Sequence, residues 1–109
     1  MRFWFIILPN LSVNAMAIFP FILLKDKAQK KDAVLINHER IHLKQQLELL
    51  IIPFYFLYLI NYLFNLVKYK NHHKAYFNIS FEKEAYYFEK DLTYLTNRTW
   101  YNWINFYSA

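Results

Sequence analysis

The chain has 109 residues and a formal net charge of +5; 57% of its residues are apolar, 19% are charged, and it has neither glycine nor cysteine. One ordinary domain fits this length, and so apolar a chain must bury much of itself, which excludes intrinsic disorder. Without glycine no phosphate-cradling loop or dinucleotide-binding turn can be built. Without cysteine there is no disulfide framework or thiolate site, so any metal must be held by histidine and carboxylate. The lysines gather at 25–31 and 68–74, each cluster beside an apolar stretch. That placement suits the edge of a membrane-facing segment, and no basic face alternates with stacking aromatics, so nucleic-acid binding is not expected. Phe, Tyr, Ile, Asn and Lys all have AT-rich codons, so part of the 22% aromatic content can reflect genome bias.

Residues 3–24 are apolar but interrupted by Pro9, Asn10, Asn14 and Pro20, a poor membrane helix and a better extended segment. The expectation is a β-strand region at 12–24, confined to a sheet edge by Pro20. Arg2 and Ala15-Met16-Ala17 imitate a secretory signal, but the apolar run before Pro9 is short and apolar sequence follows the supposed cut. Residues 25–32 read as a solvated loop ending in Asp32, an N-cap for a helix over 33–52 that stops at Pro53. A second helix is expected over 54–69, apolar all round except for Asn61, Asn65 and Lys68. A polar linker, 70–78, leads to a third helix over 80–96, capped by Ser80 with Glu82, Lys83 and Glu84 in its first turn. The aromatic tail from Trp100 to Tyr107 adds a turn or two of helix, with Trp100, Trp103 and Tyr107 spaced for packing. The fold class read from these elements is α+β, mainly α, in a single domain of three to four helices with an N-terminal edge strand.

The informative motif is His38-Glu39-Arg40-Ile41-His42, an H-E-x-x-H on the first helix. Histidines four apart project from one face and can reach one Zn²⁺, with Glu39 about 100° around, placed to hold a metal-bound water as general base. Leu35, His38, His42, Gln45 and Leu49 share that face. Zinc needs a third protein ligand and an open position for water. A metzincin would place Gly and His where this chain has Gln45 and Glu48, which excludes that class. Glutamate-ligand zincins take the third ligand from a later helix in an E-x-x-A-D pattern. Residues 82–86, Glu-Lys-Glu-Ala-Tyr, match at Glu82 and Ala85, with Glu84 the rival carboxylate. A small alanine one turn after the ligand lets two helices approach closely.

H-E-x-x-H-x-x-Q-Q followed by E-x-E-A resembles the gluzincin metallopeptidases, in particular small membrane-associated HtpX-like members. The resemblance spans roughly residues 12–90 and implies a minimal zincin-like domain, His38, His42 and Glu82 as zinc ligands, and Glu39 as the base. Many members carry Asp four residues after the ligand Glu, where it orients a zinc histidine. This chain has Tyr86 there, leaving either Tyr86 or Glu89 for that task. His72 and His73 are candidate transition-state donors or alternative ligands in an otherwise solvated basic linker.

Geometry supports the convergence without the family. A reversal at Pro53 makes the first two helices antiparallel, and sixteen residues of helix travel about 24 Å, back to the level of His38. A third helix parallel to the first then brings Glu82 beside the histidines. Leu49 to Val67 is apolar enough to suggest a membrane span, but a straight span would part the histidines from Glu82 by about 30 Å. Either the segment folds back at Pro53 or the site is an accident, and the outer face of the second helix is expected to meet lipid or a partner chain. Tyr55, Tyr58, Tyr62 and Tyr69, with Lys68 and Lys70, resemble an interfacial belt. The expected function is zinc-dependent peptide hydrolysis by a bacterial-type, membrane-associated protein, with a substrate peptide added as a strand along 13–24. The alternatives are a non-catalytic membrane-associated interaction module and a small subunit of a membrane assembly joined through helix 54–69.

Overall fold

The computed structural model describes residues 2–107. Three short strands, β1 (Trp4–Ile7), β2 (Ala15–Ile18) and β3 (Phe21–Leu24), form a sheet in the order β1-β3-β2. β1 runs parallel to β3, and β2 pairs with β3 antiparallel. The expected strand region at 12–24 is thus a hairpin. Pro20 sits in its turn, after a cis peptide to Phe19, and β3 is the central strand while β2 is the edge. The physical reason is that proline has no N–H for a ladder and fits best where the chain turns. Alternation along β3 sends Ile22 and Leu24 inward, where they pack with Ala17 and Leu43.

A 3₁₀ turn, Lys27–Lys31, leads into α1 (Ala33–Glu48), capped as expected: the Leu35 amide donates to Asp32 Oδ1 at 3.1 Å. α1 ends earlier than the expected residue 52. Leu50 and Ile51 adopt positive φ of 58° and 71°, and α2 (Ile52–Tyr69) starts with Pro53 inside its first turn. Pro53 therefore opens the second helix and does not make the break, in keeping with proline's tolerance at helix starts. The chain turns by 112° between α1 and α2, so the two are not the antiparallel pair that the sequence suggests.

The linker at 70–78 holds a further helix, α3 (His72–Phe77), capped by Asn71 and folded against α2 through Asn65, whose Nδ2 donates to the Ala75 carbonyl at 3.1 Å. α4 (Ser80–Phe88) is shorter than the expected 80–96; a turn separates it from α5 (Tyr94–Asn97), and a 3₁₀ segment, Asn102–Phe106, follows. Ser80 is no cap: Ile79 holds that position, the Ser80 amide donates to Asn61 Oδ1 at 2.9 Å, and its hydroxyl donates to the Trp103 carbonyl. Phe81 packs with Phe54, Ile79 and Trp103 in one core cluster. Ala85 and Ile41 meet with Tyr94 in another, so the small residue does let α4 close on α1. The fold is α+β, mainly α, as the sequence indicates.

Candidate metal centre

α1 delivers His38, Glu39 and His42 from two successive turns, and all three are buried. α4 delivers Glu82 from its first turn, also buried. Glu82 Oε1 lies 3.2 Å from His38 Nε2 and 3.0 Å from His42 Nε2, and the two Nε2 atoms are 3.2 Å apart. Ligands about 2.05 Å from a tetrahedral ion stand about 3.3 Å from one another, so this triangle has the dimensions of three corners of such a site. His38, His42 and Glu82 form a buried group that can hold a metal ion.

The outer contacts orient each ligand. His38 Nδ1 donates to Glu89 Oε1 at 2.9 Å, which leaves Nε2 to face Glu82. Of the two sequence candidates for this task, the contact belongs to Glu89; Tyr86 sets its ring edge against His38, with centroids 4.4 Å apart, and its hydroxyl meets that of Tyr76 at 3.2 Å. Glu89 lies just past α4, at a point fixed by Asn37, whose Nδ2 donates to the Glu89 carbonyl at 2.8 Å and the Asp91 carbonyl at 3.0 Å. Nothing in the H-E-x-x-H pattern signals Asn37; its position one residue before the motif is the clue.

On the other side His42 Nδ1 donates to Gln45 Oε1 at 2.8 Å. The amide of Gln45 is oriented by its other end, which donates to the Phe81 carbonyl at 3.1 Å and Glu84 Oε1 at 2.9 Å. Both partners are acceptors, so the oxygen must face the histidine. Glu84 therefore lies outside the group that can hold a metal ion. It accepts from Arg98 and Tyr94, and Arg98 also forks onto Glu48 at 2.8 and 2.9 Å. A buried chain from His42 through Gln45, Glu84 and Arg98 to Glu48 thus backs the metal group. Sequence reasoning missed Arg98, which lies sixteen residues beyond Glu82 with no local pattern to mark it.

Tyr58, read from sequence only as part of an interfacial belt, reaches inward and donates to Glu82 Oε2 at 2.6 Å. That bond occupies one carboxylate oxygen and leaves Oε1 toward the histidines. Burial works against a charged His42, but the facing Glu82 outweighs it and raises its pKa to about 9 in the metal-free chain. Burial likewise works to raise Glu82, yet His42, His38 and Tyr58 together hold it well below the usual carboxylate range. Glu39 differs: burial raises its pKa, with the histidines only partly offsetting that and Glu82 and Glu89 adding to it. A carboxyl displaced upward in this way is a better proton acceptor than an ordinary surface glutamate.

The group opens into a cleft of about 970 Å³. Glu39, Tyr58 and Tyr86 line it, with the β2 edge on one wall and His72 and His73 on another. His72 is held there by the Tyr62 hydroxyl, 2.7 Å from Nδ1, and lies outside the group that can hold a metal. No protein-family model, curated protein or solved structure matches this chain.

Proposed function

We propose that the protein is a zinc-dependent hydrolase of peptide bonds. The observation that carries this reading is the buried His38–His42–Glu82 triangle with Glu39 beside it at the floor of an open cleft. A two-histidine, one-carboxylate set with room for water is the donor chemistry of catalytic zinc. Zinc held by His38, His42 and Glu82 would supply Lewis acidity for the activation of water. Glu39 accepts the proton of the attacking water and returns it to the leaving amine. Glu89 and Gln45 fix the two imidazole rings, and Tyr58 fixes the carboxylate. The β2 edge lines the cleft, and ahead of Ala17, whose carbonyl Gln46 and Tyr55 occupy, an extended peptide can add as a strand. His72, on the far wall, is the candidate donor to the substrate carbonyl.

Purified protein should contain about one zinc per chain, and His42→Ala should lose it. Glu39→Gln should keep metal and fold while turnover of a peptide library falls by about 10²- to 10⁴-fold. A second reading, a non-catalytic membrane-associated module or small subunit of a membrane assembly, is favoured by the outward apolar face of α2. Zinc-loaded wild type that cleaves no peptide selects that reading.

A further inference from the structure

α2 turns polar as well as apolar side chains inward. Its polar side chains Asn61 and Asn65 face the protein, where they bond the Ser80 amide and the Ala75 carbonyl. Its outward face carries Ile52, Phe56, Ile60, Leu63, Phe64 and Val67, each between 49% and 78% exposed. At 3.6 residues per turn these fall in a stripe about 120° wide and about 22 Å long, an uninterrupted apolar face of the kind a soluble surface avoids. The outer face of the sheet is also apolar and open: Trp4, Phe21 and Ile18 stand in one row across the three strands, and all three are exposed. Tyr55 ties α2 to the sheet, its hydroxyl donating to the Ala17 carbonyl on β2 at 3.1 Å.

Charge says what covers this surface. All eight acidic residues lie within 26–48 and 82–91. The segments that form the two apolar faces, 1–25 and 49–81, contain Arg2, Lys25, Lys68, Lys70 and Lys74 and no acid. A second copy would bring the same bases and no carboxylate to pair them. An anionic phospholipid surface brings both the apolar interior and the opposite charge. A straight span does not fit: among the described residues no single helix is long and apolar enough, the pair that is, α1 with α2, bends by 112°, and the asparagines pin the inner face of α2 to the protein.

We propose that the outward stripe of α2 and the adjoining sheet face dock the protein in the plane of an anionic bilayer, with α2 lying flat and the lysines at the headgroups. This holds whether or not the metal group is catalytic. The test is flotation of the full chain with vesicles of phosphatidylcholine alone or with about 30% phosphatidylglycerol. Wild type should float with the anionic vesicles, and about 0.5 M salt should weaken binding about tenfold. Ile60→Glu with Phe64→Glu should reduce binding at least about tenfold. Because both side chains are exposed, the variant should keep the wild-type circular dichroism and metal content. Lys68→Gln, Lys70→Gln and Lys74→Gln together should remove the preference for anionic lipid. Single cysteines at Lys30 and Lys74, in a chain with no other cysteine, should both label from outside the vesicle. Labelling from opposite sides would mean a span and overturn the proposal. So would flotation unaffected by the two glutamates, or a stable dimer in sedimentation that binds no vesicle.

Discussion

The two halves of this molecule reverse the usual relation between inside and outside. Around α1 and α4 the interior is polar: His38, Glu39, His42, Gln45, Glu48, Glu82 and Glu84 are all buried. Around α2 the exterior is apolar, with Phe64 72% and Val67 78% exposed. Burying charge costs several kcal/mol per group unless geometry and hydrogen bonds compensate, so the polar interior persists only because nearly every member has a partner. Exposing apolar surface costs about 25 cal/mol per Å² in water, a cost that vanishes once lipid covers it. The first region is thus held by internal bonds, and the second stays exposed.

The largest effect should come from breaking the polar interior at Arg98. Arg98→Ala leaves the carboxylates of Glu48 and Glu84 buried without their guanidinium, and stability should fall by about 3–5 kcal/mol in urea denaturation. Loss below about 1 kcal/mol would mean that water enters and the chain behind His42 is not a buried network. Next comes Gln45→Leu, close in size but unable to accept from His42. Zinc affinity should drop about 10- to 100-fold in a competition titration, while Glu39→Gln leaves it nearly unchanged. Asn65→Ala should cost about 1 kcal/mol, since it removes the inward bond to the Ala75 carbonyl. The smallest effect belongs to its neighbour Phe64→Gln, which should change stability in water by less than about 0.5 kcal/mol. That contrast between adjacent residues is the sharpest check on the inverted polarity of α2: a larger loss from Phe64 than from Asn65 would place the stripe against the protein.

Local features were legible in the sequence because they depend on local geometry. Two histidines four apart on a helix face the same way in any fold, and Asp32 caps α1 because its side chain reaches an amide three residues on. The hairpin in 12–24 and the split of the region 80–96 were less legible, since Pro20 and the turn after Phe88 act as breaks only once their neighbours are in place. Pro53 misled for a related reason: proline marks a helix boundary but does not say on which side the break falls.

By itself, then, the sequence determined the α+β, mainly helical composition, the metal-competent pair His38 and His42, and the acid-free apolar stretches. Only the tertiary structure set Glu82, and not Glu84, beside the histidines, and Glu89, and not Tyr86, on His38 Nδ1. Those choices rest on contacts across forty to fifty residues of chain: Glu82 with His42, Gln45 with Glu84, His38 with Glu89. It also decided that α2 turns its asparagines inward with Phe54, and Phe56 and Phe64 out. A helix's sequence fixes which side chains share a face, but the direction of that face is set by what packs against it.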